Sequence, residues 1–421
     1  MTGSPTLKIL SKKTSVNKRL KKYKIETYHG FMPDNDVYVI SALRTPIGKF
    51  GRSLKNIKAA ELGGVAIKAV VDQAKIDPVH VQEVIYGNVI QAGNGQNLAG
   101  QCAHLAGLPD TVTKNTVNVV CASGMLAIEN ASREIMLGEK DVIVAGGTES
   151  MSTTPYLVSS SFRWGVKNMF NHAENFLDSL YNDGLKDAFY GYSMGYYADK
   201  TAVKYSLTRK MLDDFSIESQ RRAYEATEKG FYSREIARLG ELATDEGIRK
   251  TDIETLSRLK PAFNEDGLHT AGNSSQISDG ASALLLASGR GVKEHDLKPI
   301  ARITGFESAS LDPRDFVEAP IPATKRLLER KGISIGSFDL FEHNEAFSAA
   351  SIIVRDELGI DEEKLNIYGG AIALGHPLGD SGSRIVVTLI NALRNNKMEK
   401  GLATLCHGGG GGHTMSVEVI S

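Results

Sequence analysis

The sequence predicts an α/β protein of two related halves, with a mostly helical lobe inserted into the chain. Three observations carry this. Short apolar runs such as Val37-Tyr38-Val39-Ile40 and Val84-Ile85-Tyr86 alternate with helical periodicities such as residues 61–75, the pattern of layered α/β folds. A faint internal echo follows: Ser123-Gly124 opens a helix before a strand ending at Gly146-Gly147, and Ser381-Gly382 opens a helix before strand Leu402 to Leu405. Residues 152–277 differ in character. They hold the single Trp, Trp164, and helical patterns such as 209–230 without strong strand signals.

Each element has its own signal. The ordered part begins at Asp36, ahead of strand 37–40. Thr116 to Val120 reads as a strand, Met125, Ile128 and Ile135 fall on one helical face, and Gly138 is a C-terminal stop. Asp141 to Ala145 is the next strand, so Cys121 lies at a strand-to-helix turn. From Ile300 the alternation resumes, with Thr414 to Ile420 as a final buried strand. At 421 residues the chain exceeds one hydrophobic core, and 41% hydrophobic with 24% charged residues is ordinary globular composition.

Charge and cysteine usage exclude several classes. No apolar run approaches the ~20 residues that span a bilayer. The net charge is −1, yet Lys8, Lys12, Lys13, Lys18, Arg19, Lys21, Lys22 and Lys24 precede the first acid, Glu26. The remainder is net acidic, which is not a nucleic-acid-binding balance. The basic arm lacks an apolar core, so it is no secretory signal; it reads as a solvated, disordered arm or as an organelle address. Cys102, Cys121 and Cys406 share no paired spacing, which disfavours disulfides and Cys-x-x-Cys metal sites and suits a reducing compartment.

Four segments could carry chemistry. A cysteine before a helix N-terminus gains thiolate character from the unpaired N–H groups, so Cys121 is either a nucleophile or a small residue packing a strand end. His376, between Gly375 and Pro377, could take the Cys121 proton and then donate to an oxyanion, or be a satisfied histidine. Cys406 opens the run CHGGGGGH, whose glycines read as backbone approaching a substrate; His407 and His413 match no standard zinc spacing. Asn344 and Glu345 follow Leu340-Phe341, with an Asn-capped helix start as the plain reading.

Taken together, these segments resemble the thiolase family from about Val37 to the C-terminus. The resemblance rests on SALRTPIGKFG (41–51), GNVIQAGNGQNLA (87–99), NVVCASG (118–124), AGGTESMS (145–152), TAGNSSQISDGASA (270–283), HNEAF (343–347), GGAIALGHPLGDSG (369–382) and CHGGGGG (406–412), in that order. It implies five α/β/α/β/α layers with mixed, mostly parallel sheets, divided as a basic arm (1–35), an N-terminal half (36–151 plus 278–298), an inserted CoA-binding lobe (152–277) and a C-terminal half (299–421). It implies an acyltransferase of lipid metabolism: acetyl-CoA C-acetyltransferase or the related 3-ketoacyl-CoA thiolase. Cys121 looks like the acyl-carrying nucleophile and His376 like its activating partner and an oxyanion donor beside a water held by Asn344. Cys406 looks like the acid/base at the acetyl methyl, and the N–H groups of Cys121 and Gly408 like a second oxyanion hole.

Leu185, Met194, Ser275 and Phe347 match positions lining a pantetheine tunnel, and Arg249 one near the CoA nucleotide. The implied partners are acyl-CoA and CoA, without a permanent cofactor, metal, nucleic acid or membrane span, in a homodimer or homotetramer. The implied location is cytoplasmic, or the mitochondrial matrix should the arm be a transit peptide. A decarboxylating or Claisen-type synthase is disfavoured by Cys406, which those enzymes replace, and a non-catalytic acyl-CoA-binding scaffold by the intact set of four side chains. Departures from the family pattern are Ser193 where acetoacetyl-CoA enzymes often have His, bulky Tyr196-Tyr197, Asp380 at a commonly small position, and His407 and His413 on a usually apolar loop. They bear on chain-length preference.

Overall fold

The computed structural model describes residues 35–164 and 176–420; the basic arm, all but Asn35, lies outside the described residues. The first half runs β1 (Val37–Arg44), β2 (Gly48–Lys49), α1 (Ala59–Ala74), β3 (Glu83–Gly87), α2 (Leu98–Leu105), β4 (Thr113–Val117), α3 (Ser123–Leu137) and β5 (Val142–Ser150). The lobe follows with β6 (Tyr156–Val158), β7 (Phe176–Asp178), a π-helical turn Leu180–Leu185, α4 (Met194–Lys204), α5 (Arg209–Glu228) and α6 (Ile253–Ser257). Then come β8 (Ser278–Ser288), α7 (Gly289–Glu294), β9 (Ala301–Ser310), α8 (Pro320–Lys331), β10 (Leu340–His343), α9 (Ser348–Leu358), α10 (Ala371–Leu374), α11 (Leu378–Asn396), β11 (Lys400–His407) and β12 (Gly411–Val419).

The strand order is β10-β11-β12-β9-β1-β8-β5-β3-β4, and it contains a duplication. In the first half β3 and β5 pair parallel while β5–β8 and β8–β1 pair antiparallel. In the second, β10 and β11 pair parallel while β11–β12 and β12–β9 pair antiparallel. The two four-strand orders superimpose as β3-β5-β8-β1 on β10-β11-β12-β9, with α3 before β5 matching α11 before β11. This is the physical content of the echo in the sequence.

Three apolar clusters separate the layers. One joins α1 and α2 to the first half through Leu62, Ile67, Val70, Tyr86 and Leu285. The central one gathers Met125 and Ile128 of α3 with Ile385 and Leu389 of α11, between the strands of both halves. The third places α8 and α9 on β10 and β11 through Leu327, Ile352, Phe341 and Leu402. Helix, strand, helix, strand, helix is therefore the layer order. Residues Leu378 to Leu393 of α11 are all buried, as its central place requires.

Several expectations are corrected. The sheets are mostly antiparallel: β12 follows β11 through a three-residue turn, which can join only antiparallel strands, and β8 returns from the lobe rather than from a crossover helix. The two half-sheets are also continuous, because Val37–Val39 of β1 pair with Ile303–Ala301 of β9. The strand before Cys121 ends at Val117, not Val120. β5 runs through Gly146-Gly147 rather than stopping there: a side chain on Gly147 would occupy the Gly379 carbonyl. The lobe is mostly helical as expected, with one short strand pair, β6 with β7.

Two contacts hold the arrangement. At the N-terminal ends of α3 and α11 glycines face each other's backbones. A Cβ on Gly382 would lie 2.6 Å from the Met125 nitrogen, and one on Gly124 would lie 2.5 Å from Ser383 Oγ. The lobe is tied to β1 by Arg44, fully buried, whose Nε meets Glu235 at 2.7 Å and whose two Nη atoms grip Asp245 at 2.7 and 2.9 Å. Gly382→Ala is expected to destabilise the fold by about 1–3 kcal/mol through overpacking. Arg44→Met should cost about 3–5 kcal/mol, because it strands two buried carboxylates. Urea denaturation of each variant checks both values.

Candidate active site

Cys121 sits where the chain turns from β4 into α3. The preceding Val120 has φ of 53°, a left-handed conformation that costs a β-branched residue about 1–3 kcal/mol. Hydrogen bonds hold it there. Val120 N–H donates to Asn118 Oδ1 at 3.0 Å, and the Ser123 hydroxyl donates to the Val120 carbonyl at 2.6 Å while accepting from Val119 N–H at 3.0 Å. The Asn118 amide in turn donates to the Val89 carbonyl at 3.1 Å. The half-buried Cys121 follows Val120 directly.

Burial pushes the Cys121 thiol up to about 12; the N–H groups of Gly408 and of Cys121 itself pull it down, and the Glu149 carboxylate raises it. This corrects the expectation of a helix-lowered thiolate. Cys121 lies two residues before α3 begins, and desolvation outweighs the dipole. The resting group is a thiol, so ionisation needs a base.

His376 lies between α10 and α11. Gly375 before it has φ of 120°, and a Cβ there would lie 2.8 Å from Ile47 Cγ2. The His376 N–H donates to the Gln276 carbonyl at 3.0 Å. Its Nδ1 is 2.5 Å from Ser381 Oγ, whose hydroxyl donates to the Pro377 carbonyl at 2.7 Å. That oxygen can then only accept from His376, which places the ring proton on Nδ1 and leaves Nε2 with a free lone pair. Burial, with the Arg384 cation, holds His376 down at about 3, so the ring is neutral.

Asn344 follows β10. Its amide nitrogen is 3.4 and 3.5 Å from the two ring nitrogens of His376, and its buried Oδ1 has no hydrogen-bond partner among the described residues. It is not a helix cap: α9 starts at Ser348, with Phe347 at the cap position. Glu345 is a tie rather than a reactive group, accepting from Ser219 Oγ at 2.7 Å, Asn366 Nδ2 at 2.8 Å and Ile372 N–H at 3.1 Å. It anchors the segment that leads to His376.

Cys406 is buried near the end of β11, opposite Gly412. Burial, and then the nearby Cys121, raise its thiol above the usual range. Most of the glycine run does not face a ligand. Gly411 and Gly412 belong to β12; a side chain on Gly412 would enter the Ala319–Pro320 backbone and one on Gly410 the Leu311 carbonyl. Gly408 and Gly409 line a cavity together with Val120 and Met194.

A second cavity, of 710 Å³, is lined by Leu185, Met194, Ser275, Phe347, Arg249 and His376. The volume suits a cofactor-sized ligand. Cys121 packs against the apolar cluster containing Met151 and Leu378, which line this cavity too. Cys406 shares a cluster with Phe347 and Met194. Cys121 and Cys406, far apart in the chain, are near enough that the Cys406 thiol feels the charge of Cys121.

The four departures have structural places. Ser193 caps α4, accepting from Tyr196 N–H at 3.2 Å, and Tyr196 stacks on Tyr192 at 4.3 Å. Asp380 is buried, accepts from Ser282 Oγ and is pushed up to about 7 by burial. His413 Nδ1 pairs with Glu129 at 2.8 Å, and His407 Nδ1 donates to the Gly408 carbonyl at 2.7 Å. Among the described residues no cluster of His, Cys, Asp and Glu could hold a metal ion.

Sequence reasoning missed Val120, Asn118 and Ser123, since nothing marks a valine for a left-handed conformation. It also missed Glu149, which accepts from Val89 N–H at 2.9 Å, Asn88 Nδ2 at 2.8 Å and Gly379 N–H at 2.9 Å. An acid closing the apolar run of β5 was the available signal. Burial pushes this carboxyl up to about 7.

The chain matches two family models: Thiolase, N-terminal domain, over residues 37–290, and Thiolase, C-terminal domain, over 297–419. It is 47% identical to an acetyl-CoA acetyltransferase of Synechocystis, over 91% of this chain and 100% of that one. It is 44% identical to a probable acetyl-CoA acyltransferase of Staphylococcus aureus, over 89% and 96%. A crystal structure of an Ascaris suum thiolase in complex with coenzyme A superimposes with a TM-score of 0.87 at 39% identity, covering 91% of this chain and 100% of that one.

A thiol held near 12 is deprotonated progressively more as pH rises. Iodoacetamide labelling of Cys121 in the ligand-free protein should therefore climb about tenfold per unit from pH 7 to 10 without a plateau. Mass spectrometry of the Cys121 peptide reads this; a plateau below pH 9 would mean a lowered thiolate after all.

Proposed function

Because the chain belongs to the thiolase family, we propose that it joins two acetyl-CoA molecules into acetoacetyl-CoA and CoA, or runs the reverse thiolytic cleavage of a 3-ketoacyl-CoA, through an acyl group on Cys121. It is an acyltransferase acting on CoA thioesters. The observations that support the residue roles are the nearness of Cys121 to both Cys406 and the Gly408 N–H, and the His376–Asn344 pair, whose His376 lines the larger cavity.

In this reading His376 Nε2 accepts the Cys121 proton, and the thiolate attacks the thioester carbonyl of the first acetyl-CoA. The N–H groups of Cys121 and Gly408 hold the oxyanion formed. Cys406, protonated at rest because of its burial, gives its proton to the departing CoA sulfur and becomes a thiolate. That thiolate removes a proton from the acetyl methyl of the second thioester. The enolate oxygen is held by the protonated His376 and by a water on Asn344, whose unpartnered Oδ1 supports this role. The enolate carbon attacks acetyl-Cys121, and the Cys121 thiolate leaves and recovers its proton from His376.

The pantetheine arm lies along Leu185, Met194, Ser275 and Phe347, and Arg249 faces the nucleotide. We assign no resident cofactor and no metal. A homodimer or homotetramer would cover β4, an edge strand of the sheet. A cytoplasmic place is supported by the bacterial relatives, whereas the mitochondrial alternative rests on the basic arm alone. No described helix is long and apolar enough to cross a membrane.

The test is paired. Cys121→Ala should abolish both directions and leave CoA affinity nearly intact. Cys406→Ala should still become acetylated on Cys121, by intact mass, while condensation followed by acetoacetyl-CoA absorbance falls by about 10²–10⁴. Full condensation by Cys406→Ala, or inactivation tracking Cys102 instead of Cys121, would remove these assignments.

A further inference from the structure

The turn that carries Gly408 has little to hold it. Glycines lose more freedom on ordering than any other residue, and Gly409 and Gly410 sit at φ of 85° and 86°. Yet the Gly408 N–H faces the Cys121 sulfur, so its direction matters to the chemistry. The far end of the turn is fixed by Leu311 N–H, which donates to the Gly410 carbonyl at 2.8 Å. The near end is fixed by a side chain: His407 Nδ1 lies 2.7 Å from the Gly408 carbonyl. A carbonyl only accepts, so Nδ1 carries the proton.

His407 is itself held. In the hairpin register His407 opposes Gly411 and Leu405 opposes His413, so both histidines lie on the face away from Cys406. The ring covers Gly411, where a Cβ would overlap its Nε2, and stands 5.4 Å from the His413 ring. His413 is locked by Glu129 of α3, which also binds Arg133 at 3.0 Å. The chain of contacts runs from a buried helix carboxylate, through two imidazoles, to the carbonyl of Gly408, the residue whose N–H lies beside Cys121.

We propose that His407 is a positioning residue for acyl transfer: by donating to the Gly408 carbonyl it closes a small ring that aims the Gly408 N–H at the reacting centre. This rests on the proposed acyl-Cys121 reaction. A preorganised donor stabilises developing charge only where it is held before the charge appears, and a misplacement of about 1 Å costs on the order of 10² in rate.

Two full-length variants separate the donor from the ring. His407→Phe keeps a ring against Gly411 and loses the donor, whereas His407→Asn keeps an amide N–H at the position of Nδ1 and loses the ring. Rapid-quench acetylation of Cys121 by acetyl-CoA, CoA affinity by calorimetry, and the pH profile of Cys121 alkylation are read on both. Acetylation in His407→Phe is expected to fall about 10²-fold, with CoA affinity unchanged and the alkylation profile moved to higher pH. His407→Asn should recover most of the rate and the wild-type profile. Wild-type acetylation and profile in His407→Phe, or an equal loss in both variants, would overturn the proposal and leave His407 as packing. Failure of the unmodified protein to form acetyl-Cys121 would instead remove the reaction on which the proposal rests.

Discussion

The close approach of α3 and α11 at their N-terminal ends is the constraint on which the site depends. Gly124 and Gly382 allow each helix to enter the space a side chain would occupy, since a Cβ on either would overlap Ser383 or Met125. Cys121 precedes one helix and His376 precedes the other, so this crossing brings together the two segments that hold the proposed nucleophile and base. The duplication explains why the two ends coincide. Each half contributes its equivalent central helix, and a pseudo-symmetric arrangement brings both N-termini to one place. Gly147 and Gly379 extend the same logic, letting β5 lie directly under the first turn of α11.

Burial then decides the electrostatics. Both thiols are held protonated, His376 is held neutral, and Glu149 and Asp380 sit near 7 in a region where the fully buried Arg384 is the central cation. In the proposed reaction such a site stores protons on its reactive groups and passes them between partners, with no standing thiolate. The buried Arg44 is paired with Asp245 and Glu235.

Much was legible in the chain itself. The strands at Val37, Val84, Val142, Leu402 and Thr414, the helix carrying Met125, Ile128 and Ile135, and the Gly138 stop follow from periodicity and glycine chemistry, which act over a few residues, whereas β8 in the middle of the sheet went unread. Gly138 is at the C-cap of α3 with φ of 73°, as its place after the last apolar position requires. Glycine also misled the reading. Gly146-Gly147 looked like a strand end, and the run 408–412 looked like a ligand cradle, because glycine reports that something comes close without reporting what. At Gly146, Gly147, Gly410 and Gly412 the neighbour is backbone from another part of the fold, and at Gly411 it is the His407 ring.

By itself the sequence determined the order of elements, the existence of two related halves and the set of residue types able to run acyl-transfer chemistry, since these depend on local pattern and side-chain identity. Only the tertiary structure decided the mostly antiparallel pairing, the strained Val120, the locked tautomer of His376 and the role of Glu345 as an anchor. It also decided the sign of the Cys121 shift. A helix N-terminus can be read along the chain and argues for a thiolate, but desolvation comes from residues as distant as Leu378, and at this site it is the larger effect.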